Sequence, residues 1–362
     1  MEQLYQSSEQ DNPKMTCLII GSGKRVEDTL IPALKIVREQ IYLFSRNNEK
    51  REYLCSRYNA EGLNDLFDLP KDVTKIFLAI PNTEFLDYVK LLAKMNLDQA
   101  EIFIETPIIG QLKNFQIFKY SKYFKDILVC EDWISKPFFN IVRILQEQKR
   151  LGSIKTIIFK NSGFSYHALA VTRNLLNYER LIYGRVTHAN HSEKTFFIRF
   201  PSNSMRLDYP VDYLTGEIEV IFNNGVVLYS LDDNLQKKRK VLDDEKETPD
   251  SFFIVNPSIS SNRIVSYHVN GEEFDFSDSE TSRKIVSQLN SLAIKNKSIE
   301  NQEKIISMAL KLLNKDGQKY DLYEGTYDSF VIAFMNRFNL FFDLPIIGHS
   351  LVFGLVKLAK TL

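Results

Sequence analysis

Apolar and polar positions along the chain follow two regimes. From residue 15 to about residue 136, short continuous apolar runs alternate with stretches in which apolar residues recur every three or four positions. The first run, Cys17 to Ile20, stops at Gly21-Ser22-Gly23 and gives way to helical spacing through Leu30, Ile31, Leu34 and Val37. Gln40–Phe44 is a second run, ending in Ser45-Arg46-Asn47. Residues 75–80 form a third, stopping at Pro81-Asn82. Glu101–Glu105 is the fourth, ending at Thr106-Pro107, and Asp126–Cys130 the fifth, followed by Glu131-Asp132-Trp133. Between the third and fourth runs, Phe85, Tyr88, Val89 and Leu92 share one helical face, with Asn82 or Thr83 placed to cap it. Continuous apolar strands separated by helices predict a parallel sheet covered on both faces.

The second regime begins with a helix from Pro137 to about Arg150. It leads through Leu151-Gly152 into alternating strands. Asn224-Gly225, between Ile218–Phe222 and Val226–Tyr229, and Asn270-Gly271, between Ile264–Val269 and Glu273–Phe276, are strong hairpin signals. Antiparallel hairpins after a parallel half predict an α/β chain of two domains, 15–136 of Rossmann type and 137–362 of α+β type. Two amphipathic helices follow, one through Ile285, Val286, Leu289 and Leu292. The other runs through Ile305, Ile306, Ala309, Leu312 and Leu313 and is closed by Asp316-Gly317. The apolar run Leu344–Leu362 predicts a helix packed on its own chain or on a partner.

Composition narrows the function classes. Basic and acidic residues number 46 each in 362, so no bulk charge favours nucleic acid or anionic membrane as a partner. The run Lys237-Lys238-Arg239-Lys240 is answered at once by Asp243-Asp244-Glu245 and reads as a solvated loop or edge. Residues 1–14 are polar and read as a loose tail, with no signal-peptide pattern, and no segment has the length and apolarity of a membrane span. Cys17, Cys55 and Cys130 lie far apart without metal spacing, which fits free thiols in a reducing compartment and a cytoplasmic protein.

In a parallel sheet ligands bind beyond the carboxyl ends of the strands, here Gly21, Ser45, Pro81, Glu105 and Glu131. Gly21-Ser22-Gly23 between strand and helix is a partial dinucleotide fingerprint. Gly21 allows the tight turn, Gly23 lets backbone approach a pyrophosphate, and Val26 stands where a third glycine would be. Lys24 and Arg25 add two cations at the helix start. At the end of the second strand, Ser45-Arg46-Asn47 offers no carboxylate to a ribose hydroxyl. Arg46 could pair with a 2′-phosphate instead, which favours NADP over NAD. His188 and His191 have i, i+3 spacing but no carboxylate or cysteine cluster beside them, so no metal is expected.

The order of these elements resembles the Gfo/Idh/MocA oxidoreductases. Four local matches carry the resemblance: Gly21-Ser22-Gly23 with Pro32-Ala33-Leu34, Ile80-Pro81-Asn82 for the family's Thr-Pro-Asn, Glu105-Thr106-Pro107 for Glu-Lys-Pro, and Gly163-Phe164-Ser165-Tyr166-His167-Ala168-Leu169-Ala170 for Asp-x-Gly-x-His-x-Leu-Asp. Leu151-Gly152-Ser153-Ile154 also matches the family's entry into its second domain. The motifs span roughly residues 15–180.

The resemblance implies a tightly held nicotinamide cofactor contacted by Gly21, Ser22, Gly23, Lys24, Arg25, Ser45, Arg46, Pro81, Asn82, Glu105 and Thr106. It further implies a small sugar-like substrate, a homo-oligomer formed through a large, mainly antiparallel open sheet, and His167, aided by Tyr166, as the acid/base group. The sequence departs from the family at two consequential positions. Thr106 replaces the lysine that would face charge developing on the substrate oxygen, and Gly163 replaces the aspartate four residues before His167. Lys136 is either a stand-in cation or, as the better expectation, a solvated lysine at a helix start. Arg173 either orients substrate or makes a packing or surface contact, and Trp133 is either a pocket wall or core. Two functions follow. One is an NADP-dependent reductase or dehydrogenase acting on a carbonyl or imine compound. The other is a nucleotide-binding, non-catalytic sensor, regulator or interaction subunit.

Overall fold

The five apolar runs form all but one edge strand of a six-stranded parallel sheet: β1 (Thr16–Ile20), β2 (Gln40–Phe44), β3 (Glu61–Leu63), β4 (Val73–Leu78), β5 (Glu101–Glu105) and β6 (Asp126–Cys130). The order across the sheet is β3-β2-β1-β4-β5-β6, so the strand order reverses beside β1. A computed structural model describes residues 16–108, 112–149, 151–188, 190, 193–212, 216–231, 252–292, 297–313 and 320–342. The tail at 1–14, the charged run 237–245, His191, His349, Asp316-Gly317 and the apolar run 344–362 lie outside the described residues.

Three local features depart from the pattern. The third strand ends at Leu78 rather than residue 80. Ala79 N still donates to Ile20 O (3.0 Å), but β1 turns off at Gly21 and leaves Ile80 nothing to pair with. β3 went unread because it has three residues, of which only Leu63 is buried. The first helix is not regular: Val26–Leu30 is a π turn that runs into α1 (Ile31–Ile36). Pro32 accounts for it. Lacking an N–H and crowding the carbonyl four residues back, it disfavours a regular turn over Asp28. Lys297 Nζ donates to the exposed carbonyls of Asp28 (2.6 Å) and Glu27 (3.2 Å).

The remaining helices around this sheet are α2 (Asn48–Tyr58), α3 (Phe85–Leu92) and the short α4 (Ile117–Tyr120). α2 is capped by Asn47 and buries only Arg51 and Leu54, so it lacks the apolar stripe that would reveal it. The expected cap of α3 by Asn82 or Thr83 is corrected: Glu84 holds the N-cap position without a side-chain bond, because Asn82 donates to Pro107 O (3.3 Å).

α5 (Pro137–Lys149) leads to a ten-stranded sheet ordered β15-β14-β13-β12-β11-β7-β10-β9-β8-β16. Its strands in chain order are β7 (Ile154–Lys160), β8 (Tyr183–His188), β9 (Lys194–Arg199), β10 (Ser204–Asp208), β11 (Glu217–Phe222), β12 (Val226–Ser230), β13 (Phe252–Ser260), β14 (Arg263–Val269), β15 (Glu272–Glu273) and β16 (Leu340–Phe342). Only the β7–β10 and β12–β13 pairs are parallel. Both hairpins form, the first turning one residue earlier than expected, at Asn223-Asn224 with Phe222 N donating to Gly225 O (2.8 Å). Asn270 and Gly271 take φ of 52° and 88°, the twist a two-residue hairpin needs.

α6 (Ser165–Leu175) lies between β7 and β8. α7 (Ser279–Ser291), α8 (Ile299–Leu313) and α9 (Leu322–Phe338) close the chain before β16. α8 and α9 return to the first sheet. α8 packs on α1 and the π turn, and α9 packs on β6, where Val129 N donates to Tyr320 O (2.9 Å). This return places late-chain side chains against the carboxyl ends of the first-sheet strands. Among the described residues no helix is long and apolar enough to cross a membrane.

Candidate active site

A cavity of about 350 Å³ opens at the carboxyl ends of β4, β5 and β6. Its walls include Arg25, Ala79, Ile80, Glu105, Thr106, Asp132, Trp133, Tyr166, His167 and Lys304. The first strand ends one turn away. Gly21 sits at φ 124°, and a Cβ there would lie 2.2 Å from Ala79 O, so this close crossing of backbones requires glycine. A Cβ on Gly23 would meet nothing within 4 Å, and Lys24 beside it is exposed. The turn at Gly23 therefore faces open space. Ser22 and Ser45 join hydroxyls at 2.7 Å across the β1 and β2 ends. Arg46 is exposed and pairs with Glu84 at 2.7 Å. Pro81 is exposed, and Asn82 is half-buried beside it.

Arg25 leaves the glycine turn and reaches over the sheet. Its Nε donates to Glu105 (3.2 Å) and its Nη1 to Asp132 (3.0 Å). Burial opposes the guanidinium charge, but Asp132 and Glu105 raise its proton affinity above the ordinary arginine value. Burial likewise pushes against ionisation of Asp132. Arg25 and His167 outweigh it and hold the carboxyl below the usual aspartate value. Cys130 is buried in the wall, and desolvation, with Glu105 adding, raises its thiol well above the ordinary value, so it stays protonated and inert.

His167 stands in the first turn of α6 and stacks on Trp133, ring centres 5.3 Å apart and planes within 3°. Its Nδ1 lies 2.7 and 2.8 Å from the two oxygens of Glu131. Glu131 is 1% exposed and also accepts from Trp133 N (3.1 Å). A carboxylate fixed this way keeps the proton on Nδ1 and leaves Nε2 for the cavity. Tyr166 packs beside the imidazole, centroids 4.2 Å apart. Burial, reinforced by Glu131 and Glu105, pushes its phenol up to about 12, so it can donate a hydrogen bond but does not ionise near neutral pH. Lys311 Nζ donates to Val129 O (2.6 Å) and Glu131 O (3.2 Å) and so fixes the backbone that presents Glu131.

The absent aspartate has a steric counterpart. Gly163 lies at φ 85°, and a Cβ there would come 2.8 Å from the six-membered ring of Trp133. The indole occupies the space a side chain at 163 would need, so Trp133 is both cavity wall and buried packing.

The Lys136 expectation is corrected, and for Arg173 the structure bears out the packing alternative. Lys136 is neither solvated nor in the cavity. It is buried under Trp133, paired with Glu303 (3.0 Å) and placed over the rings of Tyr229 and Trp133. The start of α5 packs into the interior, so the lysine just before it needs a buried counter-charge. Arg173 is fully buried on α6, bound to Asp328 (2.6 Å) and Glu324 of α9, and donates to the carbonyls of Tyr178 and Glu179. It ties α6 to α9 and reaches no substrate space.

Glu131, Asp132 and Lys304 were not singled out as site residues. The first two follow a strand end, which was the available signal, whereas Lys304 reaches the cavity from α8 by tertiary packing alone. Of the other histidines, His188 bonds Asn339 at the surface and His268 bonds Ser266. Among the described residues no three histidine, cysteine or carboxylate side chains gather as metal ligands.

A six-stranded parallel sheet is joined to a ten-stranded, mainly antiparallel open sheet, and the cavity lies between the first-sheet strand ends and the first turn of α6. A scan against protein-family models finds no match, and a search of curated proteins finds none. Among solved structures, the chain is similar to a myo-inositol dehydrogenase from Corynebacterium glutamicum (TM-score 0.60, 11% identity, 92% of this chain and 99% of that one). It is also similar to a levoglucosan dehydrogenase in complex with NADH and L-sorbose (0.60, 11%, 91% and 98%). An oxidoreductase from Agrobacterium radiobacter in complex with NAD+, L-tartaric acid and magnesium is similar too (0.59, 11%, 88% and 94%). The resemblance to the Gfo/Idh/MocA enzymes thus holds over most of the chain, as a likeness of fold.

Proposed function

We propose that the protein is a nicotinamide-dependent oxidoreductase acting on a small sugar-like carbonyl, alcohol or imine compound. The observation that carries this reading is the Glu131–His167 pair, set in a cavity at the carboxyl ends of a parallel sheet. When bound, the nicotinamide supplies or accepts the hydride. His167 Nε2 then exchanges the proton with the substrate oxygen or nitrogen, while Glu131 orients the ring and stabilises the imidazolium. Tyr166 donates a hydrogen bond to the same substrate atom. Residues 15–136 form the cofactor half and 137–362 the substrate half.

The cofactor would be held by the Gly21-Ser22-Gly23 turn with Lys24 and Arg25, by Ser45 and Arg46, and by Pro81, Asn82, Glu105 and Thr106 along the strand ends. Arg46 favours NADP. Its pair with Glu84 is exposed, and exposed pairs exchange readily for a phosphate. A protonated imine is already activated and suits a site with Thr106 in place of lysine. Exposed Phe197 and Val265 on the second sheet fit a homo-oligomer formed through that sheet.

Titration with NADPH and NADH, followed by nicotinamide fluorescence, tests the reading. Tight binding of NADPH with turnover of a sugar-like or imine compound is expected, and binding of neither nucleotide overturns it. Thr106 favours the second reading, a nucleotide-binding sensor, regulator or interaction subunit. Binding without turnover, unchanged in Thr106→Lys, would select that one.

A further inference from the structure

A second cavity, of about 570 Å³, lies away from the first, between α5 and the carboxyl end of α6. Arg143, Gln146, Glu147, Gly152, Asn174, Leu175 and Asn177 line it. Arg143 is the unusual member. Its Nη1 donates to Asn140 Oδ1 (2.8 Å), and its Nη2 to Asn174 Oδ1 (2.5 Å) and Ile134 O (3.4 Å). Its buried Nε has no partner. All its acceptors are neutral, and no carboxylate among the described residues pairs with it. Arg143 itself is half-buried, whereas Arg173, fully buried nearby, has two carboxylate partners.

A guanidinium taken out of water without a counter-charge is costly, and proteins ordinarily pair it. Burial is the first cause of a fall in the proton affinity of Arg143 to about 10. The carboxyl end of α6 favours a cation nearby, which accounts for the position of Arg143 but not for its unpaired nitrogen. Glu147, one turn further along α5, lines the same cavity but is exposed and makes no ion pair with Arg143. Of the carboxamides around it, Asn174 is engaged by Arg143 and Tyr178, Gln146 donates to Gly152 O (3.2 Å), and Asn177 is exposed, around a volume in the range of small-metabolite sites.

We propose that this cavity is a binding site for a small metabolite bearing an oxyanion, a phosphate monoester or a carboxylate, with Arg143 as its counter-charge. The site is independent of the nicotinamide reading. α6 carries His167 in its first turn and Asn174 near its last, so a ligand here would contact the helix that holds the imidazole.

The test is direct binding to the full chain. Inorganic phosphate is titrated and read by broadening of its phosphorus resonance, and malonate is titrated by calorimetry. Saturable millimolar binding of either supports the proposal, and the one bound distinguishes phosphate from carboxylate ligands. Arg143→Met should weaken that binding by about tenfold or more. Should it fail to fold, Asn177→Asp, an exposed substitution, should weaken binding several-fold without moving the melting temperature. No saturable binding of either anion overturns the proposal. So does binding unchanged in folded Arg143→Met, or in Asn177→Asp where that variant alone folds.

Discussion

Two clusters of charged side chains lean on the same indole, and their difference separates holding from reacting. On the cavity side, Trp133 stacks on His167, which is bound to Glu131 through one nitrogen and keeps the other. On the interior side, Lys136 pairs with Glu303, whose other oxygen accepts from Tyr229 (2.6 Å) and Tyr267 (3.1 Å). The interior cluster uses both carboxylate oxygens and surrounds its lysine with two aromatic faces. Such a cluster fixes geometry and has nothing left to offer a ligand. The cavity cluster has an identical acid but ends in an imidazole with an open nitrogen. One titratable group with spare bonding capacity, held by a buried partner, is what acid/base chemistry needs.

Removing the open group should have the largest effect. With a substrate in hand, His167→Ala should lower turnover on the order of 1,000-fold, and Glu131→Gln on the order of 100-fold. Both should leave cofactor binding intact, as measured by nicotinamide fluorescence. Full activity in His167→Ala would place the chemistry elsewhere.

Opening the closed cluster comes next. Glu303→Gln leaves Lys136 buried without its counter-charge and should destabilise the fold by about 3 kcal/mol in urea unfolding. Trp133 is the sole tryptophan and lies against Lys136, so its fluorescence reports the change locally. A wild-type midpoint would mean that the Lys136–Glu303 pair contributes nothing to stability.

The smallest effect concerns the rim. Asp132 has a carboxyl held below the ordinary value, so the folded state prefers it ionised. Its contribution is present above the unfolded-state value and is lost as pH falls through the folded one. Wild type should therefore be the more stable of the two near neutrality, and wild type and Asp132→Asn should converge as pH falls below the ordinary aspartate value and through the folded-state one. A gap that persists in acid would assign the effect to packing instead of charge.

The hydrophobic pattern made all five first-sheet strands it proposed legible, the third with bounds shifted by two residues, together with both hairpins and the α5, α7 and α8 helices, because each is set by periodicity or turn chemistry within a few residues. It missed β3, α2 and α9. β3 is too short, α2 has no apolar stripe, and α9 buries residues such as Asp328, Ser329 and Thr326 that read as polar. At the site, Gly21 and His167 were visible as local motifs. Glu131 was visible only as a strand end, since its partner lies 36 positions away.

The sequence alone determined the strand–turn–helix opening, the change from a parallel to an antiparallel regime, and the loss of lysine at 106. These are properties of neighbouring residues. Tertiary structure alone decided that Arg25 spans to Asp132 across 107 positions, that Trp133 fills the space beside Gly163, and that Lys136 is buried with Glu303 while Arg143 has no such partner. A charge is solvated, paired or poised according to what surrounds it, and those surroundings come from distant parts of the chain.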